Sequence, residues 1–591
     1  MDKGEIIPPA PLIPIPLNFG ETNESSVLQV FNHEHENNAK EERDEDNEFN
    51  SNNNNNNDDD KPSLKNPDIT DFDPNARPDI FKSRSQELLA IFGLCLAQAS
   101  QAAGAGSLQL AIPVIGRHFN ISGGRLSWIV NAFILTSGAV ILLSGKVADV
   151  IGRKQTLLGG YIISVIATLV GGFSKNEIFM SCFRAIQGIG AAASIPASIG
   201  ILGACYASGT RKNKVFACYS ASNPLGFVVG LIAGGIATQL ISWRAAFWFQ
   251  TILYAVGIVV VFFFVPVTED QKNLNPDGLS VWNRLFKIDW VGAALIIVGL
   301  ILITFALCQA SNTSRGWRTP YMPVLLVLGV LFLVAFLFWE SYVEDPLMPL
   351  YMWKYPNIGL ALALLFIAFF VFAGNYMYYT SLFFQYVRLY SPLHTAAAFV
   401  PMVISGISVN VFIAFMMHRI PGQILLFVGL TAFMVSSLLM ALTPIHLTYW
   451  AMIFPSLVIV VVGADLSYPV INMYVMESVA RDKQGLAGGL MNTVIQIAGV
   501  IGLGVSSSIY DAVVGDATEP EIIIKGYRAA YWLSVGVAGF GCILTLFVRV
   551  GTQGSGEVKS QSANAISDQE KACDTNNNNN DDDEKRERME V

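Results

Sequence analysis

The sequence predicts an all-α polytopic membrane protein with fourteen transmembrane helices. Of its 591 residues, 52% are hydrophobic and only 14% are charged, whereas soluble domains carry about a quarter charged residues. Apolar runs of roughly 20 residues follow one another, and each is long enough to cross a hydrocarbon core about 30 Å thick. A membrane β-barrel would instead show alternating strands of about ten residues. The composition therefore favours a bundle of membrane-spanning helices.

Both ends of the chain are acidic and rich in asparagine. Acidic residues outnumber basic ones by 11 in residues 1–86 and by 5 in residues 551–591, so the segment between them has a net charge of +7. Such polar tails cannot bury enough apolar surface to offset the entropy lost on folding. We expect both tails to be disordered, and the polar first tail predicts no cleavable signal peptide.

The apolar runs define fourteen predicted spans. They cover residues 88–113, 124–144, 155–174, 178–204, 215–240, 245–267, 289–309, 321–341, 358–380, 394–416, 422–443, 448–474, 485–509 and 528–549. With both tails placed in the cytosol, the cytosolic loops hold 13 lysines and arginines and the opposite loops hold 9, which is the direction of the positive-inside rule. The seven cysteines predict neither a disulfide framework nor a metal site, because none has a partner in an extracytoplasmic loop.

A charged segment bracketed by glycines lies between the second and third spans. It reads Gly145-Lys-Val-Ala-Asp149-Val-Ile-Gly152-Arg153-Lys154, and we expect it to be a loop. Glycine permits a tight turn and close helix approach, and Asp149 can accept charge-assisted hydrogen bonds from Arg153 or from a facing helix N-terminus. The segment predicts a clamp that holds two helices in one state and releases them in another. A simple positive-inside anchor is the alternative.

Two further motifs lie on the fourth and fifth spans. Arg184 shares a helix face with Gln187, and an arginine in hydrocarbon costs at least about 2.5 kcal/mol, so we expect it to face polar partners inside the bundle. Snorkelling to the lipid headgroups is the alternative. On the fifth span, small residues form a stripe that permits close helix packing. The stripe consists of Gly226, Gly230, Gly234 and Gly235.

The segment between spans 2 and 3 resembles the signature of the major facilitator superfamily. Five positions match: Gly145, Asp149, Gly152, Arg153 and Lys154. The resemblance extends over all fourteen spans. It implies a major facilitator fold, with two six-helix halves plus two inserted linker helices. The segments it implies are a tail at 1–86, a first half at 87–267, a cytosolic linker at 268–288, the inserted helices at 289–341, a second half at 342–550 and a tail at 551–591.

The other two motifs also resemble features of this family. Arg184 falls in its span-4 motif, where the arginine is tied to proton coupling. The glycine stripe is similar to the family's antiporter motif, although Leu231 stands in the place of a proline. With its fourteen spans the chain resembles the drug:proton antiporter family whose members have fourteen spans. Among the fungal members it resembles the aminotriazole-resistance and borate exporters.

The first span departs from that family. Many members carry an aspartate there, and Gly104 occupies its place in this chain. The acidic residue deep inside a span is instead Asp465, which shares a helix face with Tyr468 and Asn472. An embedded carboxyl group can take up and release a proton near neutral pH, so we expect Asp465 to be the coupling site or a ligand for a cationic substrate. A structural aspartate paired to a neighbouring helix is the alternative.

Polar side chains elsewhere in the spans are candidates to line a central cavity. As a set they predict a polar, mostly uncharged pocket suited to a small solute. Each alone could instead form a hydrogen bond between two helices that contributes about 0.6 kcal/mol to stability. With Gln187, Tyr468 and Asn472, the candidates are Gln101, Asn131, Asn375, Tyr379, Asn410, Asn492 and Gln496.

Together these features predict a proton-coupled secondary transporter, an antiporter or exporter of a small solute or drug that works by alternating access. We place it in a fungal plasma membrane with both tails cytosolic, and the vacuolar membrane is the alternative. Other readings are proton-driven transport of ammonium, siderophores or basic amino acids, and a transporter-like nutrient sensor. We expect a small-molecule substrate, protons and lipid as partners, no nucleic acid, and a monomer. We expect no enzyme activity, no cofactor and no metal ion.

Overall fold

The structure is a computed structural model that describes most of the chain between the two tails. The residues described are 77–78, 80–206, 210–267, 281–310, 313, 316–343, 346–348, 357–416, 419–444, 446–479, 484–515, 517, 519–548 and 550–551. Most of the two tails, for which we predict disorder, and most of the predicted linker 268–288 lie outside these ranges.

The described residues contain fourteen helices that are long and apolar enough to cross a membrane, and they contain no strand. In chain order the helices are α1 (Arg84–Phe119), α2 (Gly123–Ile151), α3 (Arg153–Gly171), α4 (Glu177–Cys205), α5 (Thr210–Leu240), α6 (Trp243–Phe264), α7 (Trp290–Gln309), α8 (Tyr321–Glu340), α9 (Ile358–Val387), α10 (Pro392–Met416), α11 (Gly422–Leu442), α12 (Ile453–Ser478), α13 (Gln484–Val514) and α14 (Pro520–Thr545). The predicted all-α fold class with fourteen spans is confirmed.

Some helices extend beyond their predicted spans. α1 was expected to cover 88–113, but the Ser83 side chain caps its start by accepting a hydrogen bond from the Gln86 N–H, and it continues to Phe119. α9 was expected to end at 380, but it continues to Val387 through two π-helical segments, Phe372–Tyr376 and Phe383–Val387. Such π segments are rare and frequently mark functional sites.

The helices pack as two halves of six with two inserted between them. In the first half α1 packs against α5 and α6, and α4 packs against α2 and α3. In the second half α11 packs against α12 and α14, and α9 contacts α12, α13 and α14. α2 and α13 pack on each other along the seam between the halves. α7 covers this seam by contacting both helices, and α8 packs against α7.

The two ends of the bundle can be named by the turns that they carry. The tail end carries the start of α1 and the end of α6, since Gln86 Nε2 donates to the Phe264 carbonyl at 3.4 Å. It also carries the turn at Gly152. The far end carries the turn after α1 and the end of α13, since the Gly124 N–H donates to Asp511 Oδ2 at 2.9 Å.

Candidate transport pathway and coupling site

The segment Gly145–Lys154 is almost entirely helical. α2 continues to Ile151, α3 begins at Arg153, and only Gly152 interrupts them, with a φ of 115° that favours glycine. The expectation of a ten-residue loop is therefore wrong, because the chain needs only one non-helical residue to turn here. Gly145 lies inside α2, and a Cβ built on it would meet no described atom within 4 Å. The close helix approach expected at Gly145 is not found in this conformation.

The basic residues of this segment join four helices of the first half. Arg153 Nη2 lies 3.2 Å from Asp149 Oδ1, and Arg153 Nη1 donates to the Gly200 carbonyl of α4 at 2.8 Å. Lys154 Nζ donates to the Val265 carbonyl at 2.6 Å, just beyond α6, where a helix C-terminus favours a cation. The expected Asp149–Arg153 contact is present. Its release in another state stays a prediction.

Arg184 is buried inside the first half, with only 3% of its surface exposed. Its Nη1 donates to Gln187 Oε1 at 2.6 Å, and its Nε donates to the Ile129 carbonyl at 3.4 Å. The centre of the Phe133 ring lies 4.3 Å from the guanidinium carbon, a distance that gives a favourable cation–π interaction. Arg184 thus faces the bundle interior and does not snorkel to its surface. Its role in proton coupling stays a prediction.

Gln250 of α6 extends this polar chain, and no sequence motif draws attention to it. Gln187 Nε2 donates to Gln250 Oε1 at 2.8 Å, and Gln250 Nε2 donates to Ser107 Oγ at 3.1 Å. Gln250 is fully buried, and its Oε1 lies 2.8 Å from the point where a Cβ on Gly104 would sit. The one available signal is that Gln250 is the single side-chain amide in α6, a helix made mostly of apolar residues.

The glycine stripe of α5 allows this helix to pack closely on α1. Backbone atoms of α1 lie in contact with the positions that Cβ atoms on the first three glycines would occupy. The pairs are Gly226 with Ala99, Gly230 with Ala103, and Gly234 with Ser107. Gly235 faces α10 of the second half, where the Ala396 Cβ would lie 3.0 Å from an added Cβ. The stripe is thus a packing surface, and its role in antiport stays a prediction.

Asp465 is half-buried on α12 and faces α10 of the same half. Its carboxyl group interacts with the Asn410 side chain, and Oδ2 lies 3.2 Å from where a Cβ on Gly406 would sit. Asn410, which is exposed, also donates to the Gly406 carbonyl at 2.9 Å. The Tyr468 ring, one turn further on, meets the Phe369 ring edge-on at 6.2 Å between centroids. Among the described residues, no lysine or arginine forms an ion pair with Asp465.

The other cavity candidates lie at several different helix contacts. Asn131 of α2 donates to Cys308 Sγ of α7 at 3.0 Å, and Asn375 of α9 donates to the Ala530 carbonyl of α14 at 2.8 Å. Gln496 of α13 donates to Ser137 Oγ of α2 at 3.1 Å. Asn492 donates to the Gly488 carbonyl of its own helix at 3.0 Å. Gln101 and Asn472 are half-buried, and Tyr379 is buried among other tyrosines at the far end. Three of these side chains therefore bind neighbouring helices to each other.

Hydrogen bonds between α1 and α9 join the two halves at the far end. Three side chains of α9 donate to backbone carbonyls of α1. They are Ser381 to Gln109 at 2.5 Å, Gln385 to Leu110 at 3.0 Å, and Tyr386 to Pro113 at 2.9 Å. The contact between α1 and α9 is therefore closed at the far end in this conformation.

The sequence matches the model of a protein family described as the Major Facilitator Superfamily over residues 94–503. Three fungal relatives align with most of the chain. The low affinity ammonium transporter of Saccharomyces cerevisiae is 35% identical and covers 78% of this chain and 89% of its own. The efflux pump terJ of Aspergillus terreus is 32% identical, with coverage of 79% and 88%. The aminotriazole resistance protein of Saccharomyces cerevisiae is 30% identical, with coverage of 79% and 85%.

Solved structures show the same fold at low sequence identity. The crystal structure of tetrameric PepTSo2 superposes with a TM-score of 0.55 at 16% identity, over 78% of this chain and 98% of that one. Fourteen apolar helices in two packed halves, the family match over residues 94–503 and fungal relatives at 30–35% identity agree with one another. The chain therefore belongs to the Major Facilitator Superfamily of membrane transporters.

Proposed function

We propose that the chain is a proton-coupled secondary transporter that exports a small solute or drug by alternating access. The observation that supports this is the setting of Asp465, which lies half-buried in a spanning helix with an amide, Asn410, as its polar neighbour. Ionisable side chains inside a membrane are costly, and they commonly mark ion pathways and proton relays. A carboxyl group that is not paired with a basic residue is free to exchange a proton during a transport cycle.

The distribution of charge between the halves supports a coupled cycle. The buried cation Arg184 belongs to the first half, and Asp465 belongs to the second. Rocking of the two halves would change the surroundings of each group in turn. The bonds between α1 and α9 at the far end would break in the conformation that opens there, so we assign Gln385 and Tyr386 to the gate at this end.

The relatives support two kinds of substrate. The names of the efflux pump and of the aminotriazole resistance protein favour export of an organic solute. The name of the ammonium transporter favours ammonium as the second candidate. We propose the plasma membrane as the site of action, with both tails in the cytosol, and the vacuolar membrane as the alternative.

Reconstitution of the purified full chain in liposomes tests this proposal. A pH-sensitive dye inside the vesicles would report proton movement while aminotriazole, borate or methylammonium is added separately. We expect one of these solutes to drive proton flux and to accumulate when a pH gradient is imposed. Solute movement at a rate that does not depend on the pH gradient would contradict the proton coupling. Absence of any flux, together with a protein partner recruited by the tails, would instead favour the nutrient sensor.

A further inference from the structure

A small cavity at the far end is lined mainly by tyrosines. Five of them surround it, together with Gly123 at the start of α2: Tyr378, Tyr379, Tyr386, Tyr510 and Tyr527. We call it the tyrosine pocket. The volume open to the centre of a water-sized sphere is about 20 Å³, and one water molecule needs roughly 10–15 Å³ on this measure. The pocket therefore has room for a molecule about the size of water.

The tyrosine rings are packed as a continuous cluster around this space. Ring centroids are 5.2 Å apart for Tyr510 and Tyr527, 5.6 Å for Tyr379 and Tyr510, and 5.2 Å for Tyr378 and Tyr379. Aromatic faces carry partial negative charge and attract cations within about 6 Å. The Tyr386 ring already has a cationic neighbour, because the Arg117 guanidinium lies 5.4 Å from its centre, so the rings of the other tyrosines are the ones left for a ligand.

The pocket also contains a polar group whose hydrogen bonding is incomplete. Tyr378 is 4% exposed, and its hydroxyl group has no hydrogen-bond partner among the described residues. A buried hydroxyl group without a partner destabilises the structure, because it has lost the hydrogen bonds that it makes with water. Packing of aromatic rings alone would explain the cluster, but it would not explain a buried hydroxyl that borders an open space. A ligand with hydrogen-bond donors would satisfy it.

A carboxylate lies next to Gly123, behind one wall of the pocket. Asp511 Oδ2 accepts the Gly124 N–H at 2.9 Å, and Oδ1 lies against the position of a Cβ on Gly123, which lines the pocket. The carboxylate is also near enough to Tyr378 and Tyr379 to act on both electrostatically. Negative charge, aromatic faces and an unpaired hydroxyl oxygen are together the features that select a small cation with N–H donors.

We propose that the tyrosine pocket binds ammonium at a site separate from Asp465. The N–H groups would donate to the Tyr378 hydroxyl oxygen, the rings of Tyr379, Tyr510 and Tyr527 would contact the charge, and the Asp511 carboxylate behind Gly123 would attract it electrostatically. Gly123 belongs to the first half and the tyrosines to the second. A bound cation would therefore stabilise the conformation in which the far end is closed. This site does not depend on the proton coupling proposed for Asp465.

Binding of ammonium to the purified full chain in nanodiscs, measured by calorimetric titration, tests this site. Tyr378→Phe keeps the ring and removes the hydroxyl, and we expect it to weaken binding about fivefold, which corresponds to about 1 kcal/mol for one hydrogen bond. Asp511→Asn should weaken binding by at least as much. The matched control is Tyr531→Phe, whose hydroxyl pairs with Thr380 Oγ1 at 3.0 Å, outside the pocket. It should change binding less than twofold.

An Asp465→Asn variant separates this site from the central one. We expect it to bind ammonium with unchanged affinity, and loss of all binding in it would place the measured site at Asp465 and overturn the proposal. Wild-type affinity in both Tyr378→Phe and Asp511→Asn would overturn it too, as would a wild-type chain that binds no ammonium. If Asp511→Asn does not fold, Tyr378→Phe alone decides. Potassium binding as tight as that of ammonium would contradict recognition through N–H donors.

Discussion

The Oε1 atom of Gln250 lies 2.8 Å from the point where a Cβ on Gly104 would sit. The two residues are 146 positions apart, and the missing side chain of one makes room for the amide of the other. The Gln250 amide is hydrogen-bonded to Gln187, and Gln187 is hydrogen-bonded to Arg184. A chain of neutral amides therefore connects the buried guanidinium to α1. The interior of the first half is therefore organised around a cation whose described hydrogen-bond partners are uncharged.

A methyl group at Gly104 should disturb this chain. In Gly104→Ala the new Cβ would collide with the Gln250 amide, and overpacking of this kind costs about 1–3 kcal/mol. We expect a lower unfolding temperature in detergent and at least a tenfold loss of transport. Gly159→Ala on α3 is the matched control, because a Cβ there meets no described atom within 4 Å. Equal behaviour of the two variants would show that the contact between Gly104 and Gln250 does not matter.

The packing of α5 on α1 should be equally sensitive to added volume. In Gly230→Ala the new methyl group would collide with the Ala103 backbone, and backbone atoms move less easily than a flexible side chain. We expect Gly230→Ala to destabilise the chain more than Gly104→Ala does, as measured by thermal unfolding. Gly203→Ala on α4 provides the control, since its Cβ has open space. A stable Gly230→Ala variant would mean that α1 and α5 can separate without cost.

An ion pair at the tail end should contribute measurably to stability. Glu87 is 3% exposed, its Oε2 lies 2.5 Å from Arg211 Nη2, and its Oε1 accepts the Tyr206 hydroxyl at 2.9 Å. Arg211→Met would leave a buried carboxylate without its cation. Removal of one partner from a fully buried pair costs about 3–5 kcal/mol, and we expect about 2 kcal/mol here because the Arg211 side chain is 30% exposed.

The second partner provides the control for this pair. In Glu87→Gln the buried charge is removed together with the ion pair, so the loss of stability should be smaller. The double variant should recover part of what Arg211→Met loses, which a double-mutant cycle of unfolding free energies would measure. Additive losses would show that Glu87 and Arg211 do not stabilise each other.

Features with local signals could be predicted from the sequence. The number of helices follows from the length of the apolar runs, and the inward orientation of Arg184 follows from the cost of placing charge in lipid. The contact between Asp149 and Arg153 follows from two opposite charges close together in the chain, which can form charge-assisted hydrogen bonds. The helical course of Gly145–Lys154 could not be anticipated, because charges and glycines suggested a loop where only Gly152 leaves the helix.

Features that depend on distant residues could not be predicted. The fit between Gly104 and Gln250 exists only once α1 and α6 are packed together, and neither residue carries a recognisable motif. The tyrosine pocket draws Tyr378, Tyr510 and Tyr527 from three helices. We expected Asn131 and Asn375 to line one cavity, but they form hydrogen bonds to α7 and α14. The sequence cannot separate the two cases, because a polar residue in a spanning helix looks the same whether it lines a cavity or binds a neighbouring helix.

The most direct test of proton coupling is solute-driven proton flux in liposomes that contain Asp465→Asn. The amide keeps the size of the side chain and removes the exchangeable proton, and Asp465→Glu is the control that restores it. We predict that Asp465→Asn reduces accumulation driven by a pH gradient at least tenfold and retains exchange of labelled for unlabelled solute. Asp465→Glu should keep most of the flux. Accumulation by Asp465→Asn at the wild-type rate under the same gradient would contradict the assignment of Asp465 as the coupling residue.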